Sequence, residues 1–137
     1  MKLIVCLDDK KGMMFNHRRL SQDEEIRKDI YKHHHSLIMN EYSYQMFLKD
    51  QLCIDIIVSE DLPLESDIYQ FIEDKQLKPY EHKIDTLIVY YWNRRYPSDF
   101  QLDIDFNTEQ WNLIFEKDII GKSHDKITKK IYQRGKV

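Results

Sequence analysis

Short runs of apolar residues are separated by polar, turn-rich segments along the chain, and these runs predict the strands of a sheet. Most of the runs are continuous rather than alternating, which is typical of strands that are buried on both faces. The predicted strands cover residues 2–7, 36–39, 53–58, 68–72 and 86–92. The last run is rich in β-branched and aromatic residues, which favour extended structure.

Two segments between these runs predict helices. Ser21 and Glu24 have the spacing of a capping box, in which each side chain bonds to the backbone N–H of the other, and this predicts a helix over residues 22–32. Isoleucines four residues apart supply the apolar stripe of that helix. Asn40 is a favourable N-cap for a second helix over residues 41–49.

The C-terminal part of the chain predicts an antiparallel hairpin. Residues 111–115 and 126–132 have the composition of strands, and Gly121 lies in the turn segment between them. Residues 13–20 predict a polar loop, and residues 79–82 a short helical or irregular link. The whole pattern predicts the α/β class: a mostly parallel sheet flanked by helices, with a C-terminal antiparallel hairpin.

Length and composition predict one domain over residues 1–137. The net charge of -3 gives no strong indication of nucleic-acid binding, although it does not exclude it. The sequence does not predict the oligomeric state. Cys6 and Cys53 each lie in an apolar run, which is typical of buried, reduced thiols. No apolar stretch has the length of a membrane span and the N-terminal run is short for a signal peptide, so the cytoplasm is the expected location.

The order of segments near both ends of the chain follows a known pattern. An apolar strand leads to Asp8-Asp9 and Gly12-Met13, and Leu20-Ser21-Gln22-Asp23 then opens the first helix. Residues 3–23 resemble the opening of dihydrofolate reductases in these features. Later segments are similar to that family in their order: 37–39 before a helix, 56–59, 84–87, 96–100, Trp111 and a hairpin that ends at Tyr132-Gln133-Arg134. The resemblance implies a dihydrofolate-reductase-like fold.

The chain departs from that family where its reductases hold a nicotinamide cofactor. The family has a Gly-Gly turn that opens a late helix and a Gly-Arg/Lys-x-Thr motif after the second strand, and both hold cofactor phosphates. The glycines here are Gly12, Gly121 and Gly135, with no adjacent pair. Residues 40–43 replace the second motif, and Glu41 would repel a phosphate. We therefore expect the fold without the cofactor, and no cofactor is predicted.

Two further segments are similar to those of a group of small bacterial proteins. These are Asn16-His17-Arg18-Arg19 and Trp92-Asn93-Arg94, and some proteins of that group are labelled ribonuclease Z. The label implies a two-zinc nuclease with a His-x-His-x-Asp-His motif. His33-His34-His35 does not fit that motif, because successive residues point in different directions, and histidines are favourable at a helix C-terminus. No metal site is predicted.

Asp23 is the position that the reductase resemblance marks as catalytic. Its counterpart in that family helps to protonate the pterin. A carboxylate in a half-buried pocket can have a raised pKa, which suits acid chemistry. The alternative is that Asp23 only stabilises the positive end of a helix dipole.

Two arginine pairs are the predicted ligand-binding residues. Arg18-Arg19 follow the first strand and Arg94-Arg95 follow the strand over residues 86–92, and these two strands are neighbours in the expected fold. Both pairs are therefore expected at the C-terminal ends of strands, where open α/β sheets bind ligands. Because guanidinium groups bind phosphate and carboxylate, the expected ligand is an anionic small molecule or nucleotide. The alternative is that they are solvated and paired with nearby aspartates.

Aromatic residues near the same strand ends predict a wall beside the arginines. Alternation places Tyr90 and Trp92 on one face of the sheet and Tyr91 on the other, with Tyr96 and Phe15 nearby in the loops. A nucleotide, a pterin or a partner protein could pack there, and core packing is the alternative reading. The sequence thus predicts a non-catalytic or divergent dihydrofolate-reductase-like domain that binds such a ligand, with a divergent reductase or a small ribonuclease as the alternative.

Overall fold

A computed structural model describes residues 1–50 and 54–135 of the chain. In chain order the elements are β1 (Lys2–Leu7), β2 (Gly12–Phe15), β3 (Arg18–Arg19), α1 (Glu24–His33), β4 (Ser36–Met39), α2 (Glu41–Phe47), β5 (Asp55–Val58), β6 (Gln70–Phe71), a 3₁₀ helix (Lys78–Lys83), β7 (Thr86–Tyr91), β8 (Phe100–Gln101), β9 (Trp111–Ile119) and β10 (Ile127–Arg134). None of the helices in these residues is long and apolar enough to cross a membrane.

The large sheet has seven strands in the order β5-β4-β6-β1-β7-β10-β9. The first five strands in this order are parallel, and β10 and β9 add an antiparallel hairpin at one edge. The predicted mostly parallel sheet with a C-terminal hairpin is confirmed. β1 and β7 pair in register from Lys2 with Thr86 to Leu7 with Tyr91, so their C-terminal ends meet at one edge of the sheet.

The apolar runs predicted the positions of the large-sheet strands well and their lengths less well. β6 covers only Gln70–Phe71 of the predicted 68–72, whereas β9 extends to Ile119 because it pairs with the full length of β10. The predicted strand over 53–58 begins at Asp55, and Cys53 lies outside the described residues. Cys6 is a free thiol in β1, and burial raises its pKa.

The predicted polar loop over residues 13–20 is wrong, because most of it forms a small second sheet. β2 pairs with β3 and with β8, a strand that the sequence pattern did not predict. Asn16 and His17 both have positive φ angles, 51° and 62°, and link β2 to β3 as a two-residue turn. Such turns suit the twist of a hairpin and favour asparagine.

The start of α1 also differs from the prediction. The N-cap is Asp23 rather than Ser21, and its carboxylate accepts a hydrogen bond from the Glu25 N–H. The capping box is therefore wrong, because the aspartate two residues later takes the capping position and Ser21 bonds elsewhere. Asn40 caps α2 as predicted, with its side-chain oxygen accepting from the Ser43 N–H.

Apolar residues fill both faces of the large sheet. One face packs Leu3, Val5, Leu87 and Val89 against residues 102–106, and Tyr91 lies at its margin. The other face packs Ile4, Ile88, Tyr90 and Trp92 against apolar residues of α1 and α2. The predicted alternation of Tyr90, Tyr91 and Trp92 is confirmed, and it directs Trp92 toward the helix side at the end of β7.

Candidate functional site

A narrow pocket with a cavity volume of about 20 Å³ lies at the C-terminal ends of β1, β6 and β7, beneath the start of α1. This is the edge at which open α/β sheets bind ligands. Its apolar lining consists of Cys6, Met13, Leu20, Ile26, Met46, Phe71 and Trp92. Its polar lining consists of Arg19, Ser21, Gln22, Asp23, Arg27 and Glu73. A mainly apolar wall with a few polar groups is typical of small-molecule pockets.

Asp23 is fully covered from solvent and accepts hydrogen bonds from two parts of the chain. The N–H of Glu25 in α1 lies 2.9 Å away, and the N–H groups of Lys122 and Ser123 in the β9–β10 turn lie 3.0 and 2.9 Å away. The Ser123 hydroxyl and His124 Nδ1 complete the set at 3.1 and 3.0 Å. Although burial alone would raise the Asp23 pKa, these donors, foremost the Lys122 N–H, hold it well below its usual range.

The raised pKa that we expected for Asp23 is therefore wrong. A carboxylate that accepts this many hydrogen bonds stays ionised, because every donor favours the charged form. Asp23 is poorly suited to release a proton as an acid, and it is well suited to orient a neighbouring group.

That neighbouring group is His124, which the sequence analysis did not single out. Its ring is buried, stacks on Trp92 at a centroid distance of 4.6 Å and directs Nδ1 at Asp23. Its other nitrogen, Nε2, lies 3.1 Å from the Ser21 hydroxyl and 3.0 Å from the Tyr96 hydroxyl. No sequence pattern marked this contact: it depends on the pairing of β10 with β7, which brings the β9–β10 turn beside Trp92.

Arg19 forms part of the polar lining of the pocket. Its guanidinium group donates to both carboxylate oxygens of Glu73, at 2.8 and 3.1 Å, and lies over the Tyr42 ring. Burial alone would lower the Arg19 pKa, but hydrogen bonding to Glu73 raises it above its ordinary value. Glu73 also accepts from the Ser43 hydroxyl, so the pair is a fixed part of the wall.

An open groove lies next to the pocket and shares Arg19 and Leu20 with it. The groove is lined by Phe15, Asn16, Arg18, Arg19, Leu20, Tyr96 and Pro97. Buried Asp8 fixes the backbone of Tyr96, which lines the groove, because its carboxylate accepts from the N–H groups of Gly12 and Tyr96 at 2.6 and 3.1 Å. The structure therefore brings Phe15, Arg18, Arg19, Tyr96 and Trp92 to two adjoining cavities.

Three of the predicted site residues lie away from these cavities. Arg94 and Arg95 are exposed, line neither cavity and have no ion-pair partner within residues 1–50 and 54–135. Tyr90 is buried in the core, and its hydroxyl donates to Asp29 on α1. Asn93, between Trp92 and Arg94, has a positive φ of 57° and donates to Thr128, so it fixes the turn after β7.

The start of α2 is surrounded by carboxylates. The N–H of Glu41 donates to the Glu60 carboxylate at 3.0 Å, and the Asn40 amide donates to Asp74 at 2.9 Å. A phosphate placed at these N–H groups would meet Glu60 and the side chain of Glu41, which carry the same sign of charge. The residues at this helix start therefore do not fit a cofactor phosphate.

The three consecutive histidines lie at the end of α1, as expected for a helix C-terminus. His33 is the last residue of α1, and His34 is its C-cap and packs edge-on against Tyr69. Within residues 1–50 and 54–135, no group of three or more His, Cys, Asp or Glu side chains is arranged to hold a metal ion.

Gly121 permits the close approach of the hairpin turn to Asp23, and its replacement by alanine is expected to disturb the site. A Cβ there would lie 2.5 Å from the His124 carbonyl oxygen and 2.7 Å from an Asp23 carboxylate oxygen. We expect Gly121→Ala to lower the free energy of unfolding by about 1–3 kcal/mol, measured by urea denaturation. Gly135→Ala is the control, because the nearest atom there is the end of the Asn112 side chain, which can move. Equal stability of the two variants would contradict the close packing of the turn.

Comparisons with known proteins identify the fold. No protein-family model matches the chain, and no curated protein matches it. Among solved structures, the dihydrofolate reductase from Enterococcus faecalis complexed with NADP(H) and RAB-propyl is similar, with a TM-score of 0.64 and 10% sequence identity. The match covers 98% of this chain and 96% of the reductase. The comparisons give no support to the resemblance to proteins labelled ribonuclease Z. The chain has the α/β fold of dihydrofolate reductases.

Proposed function

We propose that this domain binds a small molecule in which a planar, largely apolar group is joined to a phosphate or carboxylate. The observation that carries this proposal is the common wall of the two cavities, formed by Arg19 and Leu20. The groove has a volume of about 350 Å³ and offers the exposed guanidinium of Arg18 to an anion. The pocket beside it is narrow, so a planar group would enter against Trp92 and the aliphatic side chains as these move apart.

The charge balance of the cavities favours the groove as the anion subsite. In the pocket, Arg19 is paired with Glu73, and Arg27 with Asp50 at 2.7 Å. Arg18 has no ion-pair partner within residues 1–50 and 54–135. A phosphate or carboxylate would therefore gain most at Arg18, because no carboxylate has to be displaced there.

Hydride transfer from a nicotinamide cofactor is the less favoured function. NADP(H) is bound by the similar reductase from Enterococcus faecalis. In this chain the start of α2 carries Glu41 and Glu60, which do not fit a cofactor phosphate, and the carboxylate of Asp23 is held in its ionised form. We therefore propose binding without the reductase reaction.

Isothermal titration with two ligand pairs tests the proposal: AMP with adenosine, and folate with the neutral pterin ring alone. We expect heat of binding with at least one pair. Arg18→Ala should weaken binding of the anionic ligand of that pair about tenfold and leave binding of the neutral ligand unchanged, because only the anion contacts the guanidinium. Lys32→Ala, which removes one exposed positive charge at the far end of α1, is the control. Absence of heat with both pairs, or equal weakening by the two variants, would refute the proposal.

A further inference from the structure

We propose that Ser21, His124 and Asp23 act as nucleophile, general base and orienting carboxylate in the hydrolysis of a carboxylic ester. Nothing in the fold requires this arrangement, and it uses a different chemistry from hydride transfer. The three side chains come from the loop before α1, the N-cap of α1 and the β9–β10 turn. In serine hydrolases of several unrelated folds, a serine, a histidine and an acidic residue contact one another in this same order.

The three side chains are within hydrogen-bond distance of one another in the order that general base catalysis needs. His124 Nδ1 lies 3.0 Å from Asp23 Oδ2, and Nε2 lies 3.1 Å from the Ser21 Oγ. Because the Asp23 carboxylate is ionised, it accepts a hydrogen bond and so favours the tautomer in which Nδ1 carries the proton. The Nε2 lone pair of that tautomer is then available to take the proton of the Ser21 hydroxyl.

The ring of His124 is fixed in position by its surroundings. It is buried between the Trp92 ring, at a centroid distance of 4.6 Å, and the start of α1. The Ser123 hydroxyl lies 3.0 Å from Nδ1 and 3.1 Å from Asp23, which holds the carboxylate as well as the ring. The Tyr96 hydroxyl lies 3.0 Å from Nε2 and shares the lone pair with Ser21, so we expect a slow hydrolase.

Exposure differs across the three residues as the reaction requires. Asp23 and His124 are buried, whereas Ser21 is partly exposed and lines the pocket. An ester carbonyl can therefore reach Ser21 Oγ from the pocket while the base and its partner stay shielded from water. The apolar lining favours an apolar acyl or alcohol group. The inference that the ester also carries an anionic group beside Arg18 rests on the proposed function. The triad itself does not depend on it.

The reaction balances with water as the only second reactant. Ser21 Oγ attacks the ester carbonyl carbon, and its proton passes to His124 Nε2. The tetrahedral intermediate collapses, the carbon–oxygen bond to the alcohol breaks, and the leaving alkoxide takes the proton from Nε2. Water then attacks the acyl-serine and gives a proton to Nε2. The bond between the acyl carbon and Oγ breaks, and the proton returns to Oγ, releasing the carboxylic acid.

A fluorophosphonate probe and 4-nitrophenyl acetate test this proposal on the full chain. We expect one probe molecule per chain, located at Ser21 by peptide mass spectrometry, and release of nitrophenol above the rate in buffer. Ser21→Ala should abolish both, and His124→Gln should slow labelling about a hundredfold. Ser59→Ala, a serine beyond β5 and outside the pocket, is the control and should label as the unmodified protein does.

The outcomes separate this proposal from the proposed function. Ser21→Ala removes a partly exposed hydroxyl and leaves the Tyr96 hydroxyl as a partner of His124 Nε2, so it should keep the unfolding temperature of the parent even if His124→Gln does not fold. Absence of labelling in the unmodified protein, or labelling that persists in Ser21→Ala, would overturn the triad. Titration of AMP and folate into the unmodified protein reports on binding alone, because neither ligand is a carboxylic ester.

Discussion

Replacement of Asp23 by alanine is expected to lower the free energy of unfolding by about 3–5 kcal/mol. Asp23 accepts hydrogen bonds from the first turn of α1 and from three consecutive residues of the β9–β10 turn, 122–124. Without the carboxylate, three partly buried N–H groups and the buried His124 ring lose their acceptor at once. The variant should therefore unfold at lower urea concentration and lose protection of the hairpin turn in amide exchange.

Asp125→Ala is the matched control for Asp23→Ala. Asp125 lies in the same turn, is exposed and should change the stability by less than about 0.5 kcal/mol. The difference in unfolding free energy between Asp23→Ala and the parent should also depend on pH. Because the folded-state pKa of Asp23 lies below the ordinary value of 3.8, its contribution is complete above that value and is lost as the pH falls through the folded-state pKa. A pH-independent difference would contradict the ionised carboxylate.

Replacement of Lys129 by methionine is the second large effect that we expect. Lys129 is buried, and its ammonium group lies 2.7 Å from the Asp29 carboxylate, which also accepts from the Tyr90 hydroxyl at 2.7 Å. Although burial alone would raise the Asp29 pKa, the bond from Lys129 lowers it. Removing one partner leaves the other charge buried, which typically costs about 3–5 kcal/mol of unfolding free energy.

The pH dependence of Lys129→Met distinguishes a lost ion pair from lost packing. Without Lys129 the folded-state pKa of Asp29 should rise, because Lys117, at 3.8 Å, is a more distant partner, so protonation in acid removes a poorly paired charge. The loss of unfolding free energy relative to the parent, measured by urea denaturation, should therefore be largest at neutral pH and become smaller as the pH falls. Lys130→Met, at the partly exposed neighbouring position of β10, is the control and should be nearly neutral. If Lys129→Met lowered the free energy of unfolding by the same amount at neutral and at acidic pH, this would contradict the ion pair.

The fold was predictable from the sequence because long apolar runs have few alternatives to a buried strand. The residues of β1 and β7 are apolar apart from Lys2 and Thr86, and Asn40 is a local cap whose partner lies three residues away. The small sheet was missed because β3 and β8 have two residues each, too few for a pattern. Its turn depends on positive φ angles at Asn16 and His17, which the sequence does not reveal.

The site was less predictable because its chemistry depends on partners that are distant in sequence. Asp23 could be identified as a helix-start carboxylate, but its pKa is set by Lys122, Ser123 and His124, about a hundred residues later. Arg19 and Arg18 look equivalent in the sequence, yet only Arg19 has Glu73 within reach. Lysines are common on the exposed edge strands of sheets, where they oppose pairing with another chain. Lys129 is buried instead, because β9 forms the edge and β10 does not.

The most direct test of the account is a ¹H–¹⁵N NMR titration of the full chain with AMP and with folate. We expect one of these ligands to shift the backbone resonances of residues 18–21 and the indole N–H of Trp92 together, because these groups line the two joined cavities. Resonances of the exposed edge strand β9 should not move. Absence of shifts at millimolar ligand, or shifts confined to β9 or to Arg94-Arg95, would contradict a ligand site at the pocket and groove.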